Sequence, residues 1–207
     1  MKSARFALSA AVLLVLCAPM AMAQEKAASP EKLGNINFPV SCNPSAQAQF
    51  SRAVAMLHSF WFPQAPKAFA EVIQTDPACA MAYWGIAISQ RANPLVGPPD
   101  TATLKRGWES VAKAKEIGAK TQREKDYIGA IELYYKDSDE LDHRTRVLAY
   151  EKAMEQLYLR YPGDMEAAVF YALTLNEAAD LKDTETDERQ MQNTSVVEAQ
   201  QTLTQIE

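Results

Sequence analysis

Glycine is scarce in this chain, with seven among 207 residues. Alternating β-branched runs are rare as well, which argues against a turn-rich sheet protein and favours helices. Histidine is scarcer still: only His58 and His143 are present. A catalytic or metal centre built on clustered histidines therefore has little to draw on. No run of Lys or Arg offers a strip for nucleic acid, and the balance is acidic. No apolar run after the first residues is long enough to cross a bilayer.

What is present begins with a processing segment. Lys2 and Arg5 form a basic start, Ala7 to Leu16 an apolar stretch, and Ala21-Met22-Ala23 a small-x-small cleavage site before Gln24. Leu16 stands where a lipoprotein signal needs a small residue before Cys17, so cleavage is expected after Ala23. Residues 1–23 then read as a signal peptide and the protein as periplasmic or secreted. Without Lys2 and Arg5, 19 basic residues face 26 acidic ones, a charge of about −7. The remaining 184 residues suffice for one domain with a core.

Cys17 leaves with the signal, so Cys42 and Cys79 remain as an even pair in an oxidising compartment. They stand near the starts of two helices. If those helices run side by side in the same direction, a Cys42–Cys79 disulfide joins their ends; otherwise both are buried thiols. Residues 24–44, with Pro30, Pro39 and Pro44, read as an extended lead-in. Helical spacing predicts helices near 45–60, 64–75 and 77–90, the first two joined by a turn at Trp61-Phe62-Pro63-Gln64. Asp76-Pro77 is the expected start of the third, as N-cap and first helical residue. That third helix carries no charge from Ala78 to Ile88 and must be covered on more than one face. After a Pro-rich loop, residues 91–100, helices are expected from Thr101 to Ile117, after the Thr121–Glu124 capping box, up to Tyr161, and from Asp164 to about Ala179. Residues 181–207 read as a polar tail, disordered or partly helical.

Ala65, Phe69 and Pro77 resemble the small, aromatic and proline positions of a tetratricopeptide repeat, whose period is about 34 residues. Tyr83, Ile86 and Ala87 match its first-helix pattern, and Pro162, Asp164, Tyr171 and Ala172 resemble a later junction. Leu57-His-Ser-Phe-Trp-Phe62 with Asp76-Pro-Ala-Cys-Ala-Met-Ala-Tyr-Trp-Gly85 is similar to a group of long exported bacterial tetratricopeptide proteins. The likeness covers roughly residues 35–180. It implies an all-α fold of stacked antiparallel hairpins wound into a right-handed superhelix, residues 45–180, and a chain that is the N-terminal portion of a longer family. Pro77 and Pro162 lie 85 apart, not a whole number of repeats, so the middle hairpin is irregular. By the same analogy Phe50, Val54, Leu57, His58, Trp84 and Ile88 line a partner-binding groove. Being apolar, that groove suits an apolar peptide or helix, or the missing C-terminal repeats, and not a carboxylate grip.

The remaining chemistry is thin. Asp137-Ser-Asp139-Glu-Leu-Asp142 lacks the sixth-place glycine and twelfth-place glutamate of a calcium loop. No nucleophile elbow or phosphate loop occurs. Trp61, Trp84, Trp108, Tyr134 and Tyr135 read as packing more readily than as a ligand set, and loop 91–100 as a contact candidate. The expectation is a protein–protein interaction scaffold that needs no metal or cofactor and catalyses nothing. The rivals are a metal-dependent hydrolase using His58 and His143, and a shortened remnant without a role of its own.

Overall fold

The computed structural model describes residues 32–182, apart from 92 and 95 and the side chains of 180–182. The signal-peptide segment and the tail lie outside the described residues. All elements below belong to the unit Leu33–Glu207. Seven helices follow one another: α1 Pro44–His58, α2 Ala65–Thr75, α3 Ala80–Gln90, α4 Thr101–Ile117, α5 Gln122–Tyr135, α6 His143–Arg160 and α7 Met165–Lys182. Among the described residues there is no strand.

Most starts have a local cause, although α2 and α3 have no side-chain cap. Asn43 accepts hydrogen bonds from the Ser45 and Ala46 amides at the head of α1, and Asp100 accepts one from Thr103 at the head of α4. Thr121 and Glu124 form the reciprocal capping box of α5, and Asp142 caps α6 through the Thr145 amide. Gly118 ends α4 at φ 80°, a conformation that costs glycine little.

One boundary differs from expectation. α3 begins at Ala80, because Asp76 ends α2 and does not cap α3. Its carboxylate is taken by the Asn43 amide at 2.6 Å and the Ala78 amide at 3.1 Å, which folds Asp76–Cys79 into a turn. Beside this contact Cys42 and Cys79 form a disulfide, with Cα atoms 4.8 Å apart. The starts of α1 and α3 are thus neighbours, as parallel alternate helices require.

Packing runs from each helix to the next, α1 on α2 through to α6 on α7, and α3 also meets α1 and α5. α3 is therefore surrounded, and Met81, Ala82, Trp84 and Ala87 are all buried. The α2–α3 seam is tight: a Cβ on Gly85 would stand 2.2 Å from the buried Phe69 ring. Gly107 gives α4 the same clearance beneath the Tyr135 ring. In each seam an aromatic ring occupies the space a side chain would take.

Candidate functional site

The inner faces of α1, α3 and α5 bring Phe50, Trp84 and Tyr127 together, and a fourth ring closes the set. Phe38, from the segment before α1, sits 5.5 Å from Phe50, 5.5 Å from Trp84 and 5.0 Å from Tyr127, centre to centre. Residues 32–42 have no helix, and burial alternates along Ile36, Phe38 and Val40, with Asn37 and Pro39 exposed between them. This strap is held by its backbone. Gln47 of α1 accepts from the Val40 amide and donates to the Phe38 carbonyl, both at 3.0 Å. Arg123 donates to the Pro39 carbonyl at 3.0 Å while its guanidinium lies over the Phe38 ring. Lys120 donates to the Ser41 carbonyl at 2.9 Å, and Glu124 accepts from the Ser41 amide and hydroxyl. Burial pushes the Glu124 carboxyl up, but these bonds and those from Thr121 outweigh it and hold it below the usual range.

The second half of the site is the inward stripe of α7. Glu166, Phe170, Leu173 and Glu177 recur at helical spacing, and each meets the ends of earlier helices. His58, last residue of α1, lies 2.7 Å from Glu166, with Phe170 against its ring. Phe170 also stands edge-on to Trp84. Arg91, just past α3, forms a buried ion pair with Glu177 and faces the rings of Tyr134 and Tyr150. His143 is 3.8 Å from the same carboxylate. Burial, then Arg146 and Arg91, push the His143 pKa down, against a smaller opposing pull from Asp142. Arg91 Nε, Tyr134 Oη and His143 Nδ1 are buried without a hydrogen-bond partner among the described residues. Leu57, Ile88, Phe170, Leu173 and Arg91 wall a cavity of about 30 Å³, room for a single water.

Both histidines therefore face α7, each against a different glutamate. Among the described residues no group of three or more His, Cys, Asp or Glu stands close enough to hold a metal. The groove expected from the sequence is differently arranged. Phe50, Val54 and Trp84 are buried outright, and Leu57 and Ile88 nearly so. Phe38 covers them from one side and Phe170 from the other, so they form an interior and not an open lining. Only His58 of the six retains partial exposure.

Exposed large apolar residues include those of the α1–α2 turn, besides Trp108, Leu133, Leu141, Leu159 and Met165 elsewhere. Phe60 and Trp61 are 45% and 38% exposed, and Val96 in the loop after α3 is 78% exposed. Phe60 and Trp61 close α1 with a paired motif: the Phe60 amide bonds the Leu57 carbonyl and the Trp61 amide the Met56 carbonyl, both at 2.9 Å. That motif puts Phe60 at φ 59°, the left-handed position where glycine is normal. Its ring stands edge-on to Phe62, at the mouth of the cavity. Trp84, Tyr134 and Tyr135 are interior packing, whereas Trp61 and Trp108 reach the surface.

Sequence reasoning missed the strap and the α7 contacts. Ile36-x-Phe38-x-Val40 is a period-two signal, legible once the lead-in is treated as an element. Glu166 and Glu177 gave no signal, because acidic residues on a helix usually face water. Compared with known proteins, the chain matches no family model, no curated protein and no solved structure.

Proposed function

We propose that this chain is a protein–protein interaction scaffold of tetratricopeptide type in the bacterial envelope, without catalysis of its own. The hairpin order, with α3 touching both α1 and α5, supports the repeat reading. The Cys42–Cys79 bridge fits an oxidising compartment, as does the signal-like start of the sequence. With the inner face filled by the chain's own segments, the surface open to a partner includes the α1–α2 turn and the loop after α3. The observation that carries this is Phe60, a large aromatic residue kept exposed in a strained conformation. Strain of that kind, over-determined by its surroundings, clusters at binding surfaces. Phe60 and Trp61, with Phe62 beside the Phe60 ring, present apolar surface of the sort that anchors partners, and Val96 is exposed on the loop after α3.

The test is comparative capture from periplasmic extract. Immobilised full chain is set against Trp61→Ser and against Arg52→Ala, a change outside the patch. Bands retained by the first and third proteins but lost with Trp61→Ser support the reading. Equal recovery by all three, or none by any at micromolar protein, sinks it.

A further inference from the structure

The strap is bound the way a peptide is bound. Residues 36–40 have neither helix nor turn, Ser41 begins the bend into α1, and no strand pairs with them among the described residues; their backbone groups are read by side chains of three separate places in the fold. Gln47 comes from α1, Lys120 from the α4–α5 turn, and Arg123 and Glu124 from the first turn of α5. One side chain, Phe38, enters a cage of Phe50, Trp84 and Tyr127 under the Arg123 guanidinium. Backbone bonds supply affinity and a single aromatic pocket supplies choice, which is the division of labour in recognition of extended segments.

We propose that the inner face of α1, α3 and α5 is a recognition site for an extended Phe-Pro-x-Ser peptide, and that residues 36–41 occupy it in cis. This rests on the scaffold reading and names the class of partner for its inner surface. Each position of the motif has its reader. The aromatic residue fills the cage, and proline follows where the amide need not donate, since only its carbonyl is used, by Arg123. The next residue donates its amide to Gln47, and serine gives both amide and hydroxyl to Glu124. Glu124 keeps its charge through the same bonds that hold serine, so a segment lacking the hydroxyl loses one charged hydrogen bond. Covalent attachment gives the strap a local concentration on the order of millimolar. A free peptide of the same chemistry is therefore shut out until the strap lifts. The Cys42–Cys79 bridge fixes the strap's end beside the site and does not itself fill it.

The experiment uses the full chain carrying Phe38→Ala and the synthetic peptide acetyl-Asn-Phe-Pro-Val-Ser-amide, followed by Trp fluorescence and calorimetry. Saturable binding by the variant, at least tenfold weaker binding by the unaltered protein, and at least tenfold loss for a peptide with alanine in place of phenylalanine are expected. A folded variant that ignores the peptide, or unaltered protein that binds it equally well, overturns the proposal. Should Phe38→Ala fail to fold, hydrogen exchange on the unaltered protein decides. The Val40 and Ser41 amides are expected to exchange faster than those of mid-α3, through an opening of the strap alone. Exchange only together with α3 would make the strap plain core and end the idea. None of these outcomes touches the Trp61→Ser comparison, so the two readings fail separately.

Discussion

At the scale of single residues, Phe60 shows how a conformation and a side chain can be at odds. Its φ of 59° is set by two backbone bonds that end α1, and an L-residue there costs about 1–2 kcal/mol. Its ring recovers part of this against Phe62, being only half-exposed. Replacing Phe60 by alanine removes the ring and keeps the strain; replacing it by glycine removes both. The glycine variant is thus expected to be the more stable of the two by about 1 kcal/mol in urea unfolding. Equal stabilities would mean that the turn relaxes without a left-handed residue. The sequence showed the turn at residues 61–64 through Pro63, but not the handedness of Phe60, because phenylalanine carries no positive-φ signal. Ala65 and Phe69 were legible as packing positions, and both are fully buried.

At the scale of the helix, the seven elements were readable because their caps and spacing are local properties. Thr121, Asp142 and Asp164 announce their helices within three residues. What α7 does was not readable, since its carboxylates gain meaning only from partners far along the chain: Glu166 from His58 and Glu177 from Arg91. Glu177→Ala leaves the Arg91 guanidinium buried without its counter-charge and is expected to cost about 3–5 kcal/mol. Arg91→Met with Glu177→Leu is expected to recover most of that loss, because an apolar pair of similar volume needs no desolvation. Chemical denaturation of the three proteins checks both. His143 adds a pH dependence to the same helix face. Burial, Arg146 and Arg91 hold it neutral in the fold, with its pKa below the usual 6.5. The unfolded chain therefore takes up a proton first as pH falls, and stability present above about pH 6.5 declines below it. One proton bounds that slope at about 1.4 kcal/mol per pH unit. His143→Gln is expected to flatten the decline below about pH 6.5, with little change above. A variant with the same acid slope as the unaltered protein would place the proton elsewhere.

At the scale of the whole molecule, two covers close the inner face: the strap at one end and α7 at the other. That Phe50, Val54, Trp84 and Ile88 lie on apolar helix faces was legible; that these faces are interior and not an open groove was not, because closure depends on the path of segments distant in sequence. The Cys42–Cys79 pairing was legible because it follows from helix direction. It joins the strap's end to the head of α3 and closes a loop spanning a separation of 37 residues. Constraining such a loop in the unfolded chain is worth about 4 kcal/mol. The Asn43–Asp76 bond spans the same junction without a covalent link, so the helix heads stay together when the bridge is cut. Reduction is therefore expected to lower the unfolding free energy by about 4 kcal/mol while helix content by circular dichroism stays the same in native buffer. A Cys42→Ala, Cys79→Ala chain is expected to behave like the reduced protein. If reduction instead removed helix signal without denaturant, the bridge would be holding α1 and α3 together in the folded state, not limiting the unfolded one. A loss below about 1 kcal/mol would mean that the unfolded chain already keeps these helix heads close.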